Sequence, residues 1–194
     1  MAESYDYAKY KAILEKRLNP KRYHHSLCVA DEALRLAKKY GCDTKKAYLA
    51  GLLHDITKNA TQEEHLHIFD KFDIMLNSVE KNAEKLWHAI SGAAYIEYEL
   101  GITDKDIITA VRYHTTAREG MSLLEKILYL ADYTSADRDY DDVDIMRQKV
   151  EISIDAAMNY ALTYTINDLV ERRKLLHLDT VKAYNENTLK GSLK

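Results

Sequence analysis

Glycine and proline are nearly absent from this chain. It has six Gly and one Pro in 194 residues, about 4% where ordinary usage is about 12%. A β-sandwich or barrel of this length needs turn residues about every 8–12 positions, roughly 16–24 turns in all, so those architectures are excluded. The glycines also form no Gly-rich phosphate loop, which removes a Rossmann sheet. What remains is an all-α fold, read as one helical domain over residues 1–194. A chain of this size hides roughly 70% of its unfolded surface, enough for a sizeable core.

Twenty-eight basic against 31 acidic residues leave a net charge of −3. That excludes the basic footprint of a duplex nucleic-acid binder, but not a local cationic pocket for a small anion. Cys28 and Cys42 stand alone, so neither a disulfide scaffold nor a thiolate zinc site is supported. No apolar run reaches the roughly 18 residues of a membrane span, and the opening MAESYDYAKY is polar. The expectation is a cytoplasmic protein with no membrane partner.

Local signals divide the chain into helices. The first runs from Tyr5 to Leu18 and stops at Asn19-Pro20, where proline suits the first turn of the next. That second helix reaches Tyr40, with Leu27, Ala30, Leu34 and Ala37 as its inward stripe and Gly41 as its stop. Thr44 caps a third, which ends near Lys58 with Ala47, Ala50, Leu53 and Ile56 inward. Capping boxes at Thr61–Glu64 and Ser122–Glu125 open two more. Between them lie helices over Leu86–Leu100 and from Thr103 to His114. After an acidic loop at 136–144, a long amphipathic helix spans Val150–Leu176 and a short one follows from Thr180. The functional core is expected at about 20–160. The C-terminal helices, about 150–190, are expected to pack on it or to form a homodimer interface.

Eight histidines are present, and one His-Asp dipeptide, His54-Asp55. Such a pair arises by chance about 0.7 times (8 × 17/194) in this composition. Its context says more: Ala50-Gly-Leu-Leu53 delivers two polar side chains toward the interior. A buried carboxylate there demands a cation or a set of donors. In chain order the candidates are His25, His54, Asp55, His88, His114 and Asp132, each beside apolar or small neighbours. A lone His on an apolar helix face is ordinarily a satisfied core residue; four on separate helices, with two aspartates, suit a metal site. Mixed imidazole and carboxylate ligands favour iron, manganese or zinc over Mg²⁺ and Ca²⁺. His65, His67 and His177 lie on charged segments and read as surface residues, and His24 points away from His25. Asp137, Asp139, Asp141 and Asp142 lack EF-hand spacing and read as solvated, Arg118 reads as an exposed loop charge, and Cys28 as a small core residue.

The order H…HD…H…H…D resembles the signature of HD-domain metal-dependent phosphohydrolases. The flanking words Arg22-Tyr-His-His25, Ala50-Gly-Leu-Leu-His-Asp-Ile-Thr-Lys58, Arg112-Tyr-His-Thr-Thr116 and Leu130-Ala-Asp-Tyr133 followed by Arg138 are similar to the YqeK-type group. The resemblance covers roughly residues 20–160. It implies a helical HD fold and a hydrolase that splits diadenosine tetraphosphate symmetrically into two ADP with a bound iron or similar ion, one or two per chain. By that resemblance His25, His54, Asp55 and Asp132 hold the principal metal. His88 and His114 face the substrate phosphates or complete a second metal site. Lys58, Arg22, Thr115 and Arg138 contact phosphate or nucleotide. Asp55 orients the attacking water, while Lys58, Arg138 and a protonated His88 or His114 stabilise the departing diphosphate. One departure stands out: where the group carries an Ile-Glu-Pro-like stretch, this chain has Thr134, Ser135, Ala136 and Asp137. The alternatives are an HD-type nucleotidase or phosphodiesterase for another nucleotide, and a sensor that holds metal and nucleotide without turnover.

Overall fold

The structure, a computed structural model, describes residues 5–192; the polar start read from residues 1–4 lies outside them. The described residues are all-helical, with no strand among them. Helix α1 (Tyr7–Arg17) and α2 (Pro20–Tyr40) meet at Asn19, whose side chain accepts the Arg22 amide, with Pro20 in the first turn. Gly41 closes α2 at φ 73°, a left-handed conformation that glycine adopts without strain. The cap of α3 (Thr44–Leu53) is Asp43 rather than Thr44: its carboxylate accepts from the amides of Lys45 and Lys46. Both expected capping boxes form, at the starts of α4 (Gln62–Lys71) and α8 (Leu123–Thr134). A third, Asn77 with Glu80, opens the one-turn α5 (Ser78–Lys81).

Two expected helices are interrupted. In place of one helix over Leu86–Leu100, a 3₁₀ turn (Glu84–Leu86) leads into α6 (Trp87–Ala94), which ends in a π turn (Tyr95–Glu99). Helix α7 (Lys105–Tyr113) follows. The long C-terminal helix is split by Ser153. Helix α9 (Val143–Ile152) begins inside the acidic stretch and stops at Ser153, whose backbone is extended. The Ser153 hydroxyl then accepts the Ala156 amide and caps α10 (Ile154–Glu171), the usual preference of serine for a helix start over a helix interior. Helix α11 (Leu178–Ser192) completes the described chain.

The inward face of α2 is Val29, Ala30, Ala33, Leu36 and Ala37, while Leu27 and Leu34 are only half-buried. The stripe is rotated from the expected one because α2 and α3 touch through their smallest residues. A Cβ on Gly51 would lie 2.8 Å from Ala30 Cα and 2.9 Å from the Val29 carbonyl oxygen, closer than the packed backbone allows. The rotation puts His25 in line with Val29, four residues on, and so on the buried face.

The C-terminal third closes the same core. Val150, Ala157, Met158, Ala161, Leu162 and Ala183 join the apolar cluster built from α2, α3, α7 and α8. The Thr165 hydroxyl meets the hydroxyls of Tyr129 (3.2 Å) and Tyr133 (2.5 Å), tying α10 to the helix that carries Asp132. No helix of the described residues is long and apolar enough to cross a membrane.

Candidate active site

Helices α3 and α7 end in the same way. The last four carbonyls of a helix have no intrahelical partner, and in each case an imidazole takes one of them. His54 Nδ1 donates to the Gly51 carbonyl and His114 Nδ1 to the Val111 carbonyl, both at 2.7 Å. Each bond places the ring proton on Nδ1 and turns a bare Nε2 toward the interior. It also explains why α3 stops at Leu53 rather than near Lys58. Beyond it the backbone turns tightly, the Lys58 amide bonding the Asp55 carbonyl at 2.8 Å. His25 comes from α2, His88 from the first turn of α6 and Asp132 from the last turns of α8.

These side chains converge on one buried volume. His25 Nε2 lies 2.9 Å from Asp132 Oδ1. His54 Nε2 is 3.6 Å from Asp55 Oδ2 and 3.9 Å from Asp132 Oδ1. Asp55 Oδ1 faces His88 Nε2 at 3.2 Å and His114 Nε2 at 3.7 Å, and those two nitrogens are 3.1 Å apart. All six candidates therefore meet, although they stand on five segments of the chain.

Cations rim the cluster. Arg22 Nη1 donates to Asp55 Oδ2 at 3.2 Å, and Lys58 Nζ lies 3.6 Å from Asp55 Oδ1 and 3.0 Å from His88 Nε2. Arg138 bonds both the carboxylate and the backbone carbonyl of Asp132. Burial alone would raise the Asp55 carboxyl, but His54, His114, His88 and Lys58 outweigh it and hold it well below the usual carboxylate range. Asp132 is held low against burial by the His25 hydrogen bond and Arg138. Burial pushes His54 and His88 down to about 4, so both are neutral imidazoles at pH 7, the form that ligates metals. A protonated His88 is therefore not the source of positive charge in the free site; Lys58, Arg22 and Arg138 are. Burial lowers Lys58 too, with Asp55 and Asp132 opposing. Burial also disfavours a charged His25, but its bond to Asp132 and the charge of Asp137 carry its pKa above the ordinary value.

Other expectations need correction. His65 is buried, its Nδ1 2.8 Å from the Ser91 hydroxyl, and His177 is buried against Asn77 and Glu80; neither is a surface residue. Asp137 is not solvated: its Oδ2 sits 2.8 Å from His25 Nδ1. Arg118 is bound through two nitrogens by the buried Glu125 rather than free in its loop. Cys28 is half-buried, not core, and His24 lies outside the cluster at 3.5 Å from the Cys28 sulfur. Thr115, next to His114, lines a cleft of about 710 Å³ together with Lys81, Lys85, Leu86, Arg173 and His177. Of these, Thr115 is among the residues the sequence points to. Lys81, Lys85, Leu86 and Arg173 are not, because nothing in their local pattern separates them from ordinary surface positions.

The donor set fits a transition-metal ion. His54 Nε2 and Asp55 Oδ1 are buried and make no hydrogen bond, which is costly unless a cation completes them. Two nitrogen lone pairs at the His88–His114 distance repel unless a proton or cation lies between them. Three overlapping groups, His25/His54/Asp55, His54/His114/Asp132 and Asp55/His88/His114, each bring their ligating atoms within 4.8 Å of one another. Imidazole with carboxylate is the chemistry of borderline ions.

Comparison with known proteins agrees with this geometry. The HD domain family matches residues 22–137. The symmetrical bis(5'-nucleosyl)-tetraphosphatase of Bacillus subtilis (strain 168) is 36% identical over 174 residues, covering 90% of this chain and 93% of that protein. The enzyme of the same description from Staphylococcus aureus is 32% identical, covering 91% and 92%. A crystal structure from Clostridium acetobutylicum, described as a predicted HD superfamily hydrolase involved in NAD metabolism, superposes with a TM-score of 0.92 at 34% identity. It covers 97% of this chain and 100% of the other. The matched segment contains every one of the six clustered side chains, and the chain belongs to the HD-domain family.

Proposed function

We propose that this protein hydrolyses diadenosine tetraphosphate at its central anhydride, releasing two ADP. The observation that carries the reading is the buried His/Asp cluster with two orphaned ligand atoms and three cations at its edge. Support comes from identity of 32–36% over about 90% of the chain to symmetrical tetraphosphatases. Water adds to one inner phosphorus, the bridging P–O bond breaks, and the second ADP leaves with the electron pair.

His25, His54, Asp55 and Asp132 would hold the principal ion, with Asp55, His88 and His114 available to a second. Iron is the ion we assign, with manganese and zinc in the same ligand class. When bound, such an ion polarises the phosphoryl oxygen and makes water acidic enough to attack near neutral pH. The chain's own groups do the rest. Asp55 Oδ1 orients the water. Lys58, Arg22 and Arg138 bind the tetraphosphate and offset charge on the departing diphosphate, in a site dry enough for those charges to act strongly. The cleft beside Thr115, lined by Lys85 and Arg173, has a volume suited to a nucleotide end. The substrate pool implied is cytoplasmic.

The test is product chromatography. Protein stripped by a chelator and reloaded with iron or manganese should convert diadenosine tetraphosphate to ADP alone, with the stripped protein inactive. Equal amounts of ATP and AMP would contradict symmetric cleavage.

A further inference from the structure

His25 is held differently from His54 and His114. His54 and His114 sit at helix ends and anchor Nδ1 on carbonyls of their own helices. His25 lies inside α2, where the carbonyls of the preceding turn are already taken by the helix. Its Nδ1 must find a partner elsewhere, and that partner is Asp137, at 2.8 Å from the loop after α8. The Ser135 hydroxyl donates to Asp137 Oδ1 at 2.8 Å, aiming the carboxylate. Asp132 meets the other nitrogen of the same ring at 2.9 Å. One short stretch of chain therefore supplies carboxylates to both nitrogens of His25. Of the acidic run, Asp139, Asp141 and Asp142 are exposed, and Asp137 alone turns inward.

We propose that Asp137 is a positioning residue: it holds the His25 ring proton at Nδ1 and keeps Nε2 aimed into the cluster as an ion ligand. A carboxylate is a stronger anchor than the carbonyls that serve His54 and His114, and an outer partner of this kind commonly sets ion affinity by about 10–100-fold. The Ser135–Asp137 pair makes the 135–138 loop part of the ion site, although no residue of it other than Asp137 touches a ligand ring through a carboxylate. The inference rests on the proposed ion site, but not on the identity of the substrate.

The experiment is cobalt(II) titration of the chelator-stripped full chain, read by the visible ligand-field spectrum and by competition with a chromogenic chelator. D137A should weaken cobalt binding by about 10–100-fold. D137N, which keeps an acceptor oxygen but loses the charge, should fall between D137A and wild type, and S135A should shift in the same direction. The melting temperature of the stripped D137N protein should stay at the wild-type value, so the loss belongs to the ion and not to the fold. Wild-type cobalt affinity in D137N overturns the proposal, even if D137A fails to fold. A lowered affinity that accompanies an equally lowered stripped-state stability in D137N also overturns it, since Asp137 would then merely tether the loop. Failure of the wild-type chain to bind cobalt overturns this inference and the metal reading together, whereas wild-type binding in D137N overturns this inference alone.

Discussion

Asp55→Ala is expected to lose the bound ion and the hydrolysis together, with kcat/KM on diadenosine tetraphosphate falling by about 10³-fold or more. The figure corresponds to about 4 kcal/mol of transition-state stabilisation at 1.36 kcal/mol per decade, the scale of a missing Lewis acid. Asp55 is 2% exposed and lies within 3.7 Å of Arg22, Lys58, His54, His88 and His114, the central carboxylate of the cluster. Removing one partner of a buried ion pair also costs about 3–5 kcal/mol, and Asp55→Ala alone could report only a broken fold. Asp55→Asn, with the same shape, is the companion: it should fold, bind little ion and show the same collapse in rate. Metal analysis beside steady-state kinetics separates the cases. An Asn variant that keeps its ion while losing turnover would make Asp55 a water-orienting group and not a ligand.

Lys58→Ala should behave in the opposite way, keeping its ion and losing turnover by about 10²-fold. Its ammonium stands 3.6 Å from Asp55 and 3.0 Å from His88, at the edge of the cluster, where its side chain is still 29% exposed and within reach of a phosphate. As a cation it cannot ligate a metal. Lys58 does not continue α3, because the helix ends at Leu53, so a mere helix-end charge does not explain its place. Unchanged kinetics would remove it from the phosphate site.

What the chain disclosed in advance follows from how far each signal reaches. The boxes Thr61–Glu64 and Ser122–Glu125 and the Asn19-Pro20 joint involve residues within a single turn, and local chemistry settles them. The six cluster residues were legible because their apolar neighbours run counter to their polarity. Other features were hidden. The amphipathic pattern runs unbroken through Ser153, so only the hydroxyl's bond to Ala156 reveals the cut between α9 and α10. The end of α3 depends on a side-chain bond from His54 that serves the site rather than the helix. His65 and His177 sit among charged neighbours in sequence, but their partners, Ser91 and Asn77, are 26 and 100 positions away. Asp137 was masked by the acidic run around it, and its partner lies 112 positions back. For His65, His177 and Asp137 the deciding contact is tertiary. At Ser153 and His54 it spans only three residues, and the side chain's choice of a cap over a helix interior is what the apolar pattern does not show.

The most direct test of the ion site is the location of the metal by anomalous scattering from crystals of the iron- or manganese-loaded protein. A peak is expected within about 2.0–2.3 Å of His25, His54, Asp55 and Asp132. An active, metal-loaded enzyme whose ion lies elsewhere, with these four side chains left as they stand without it, would contradict this placement.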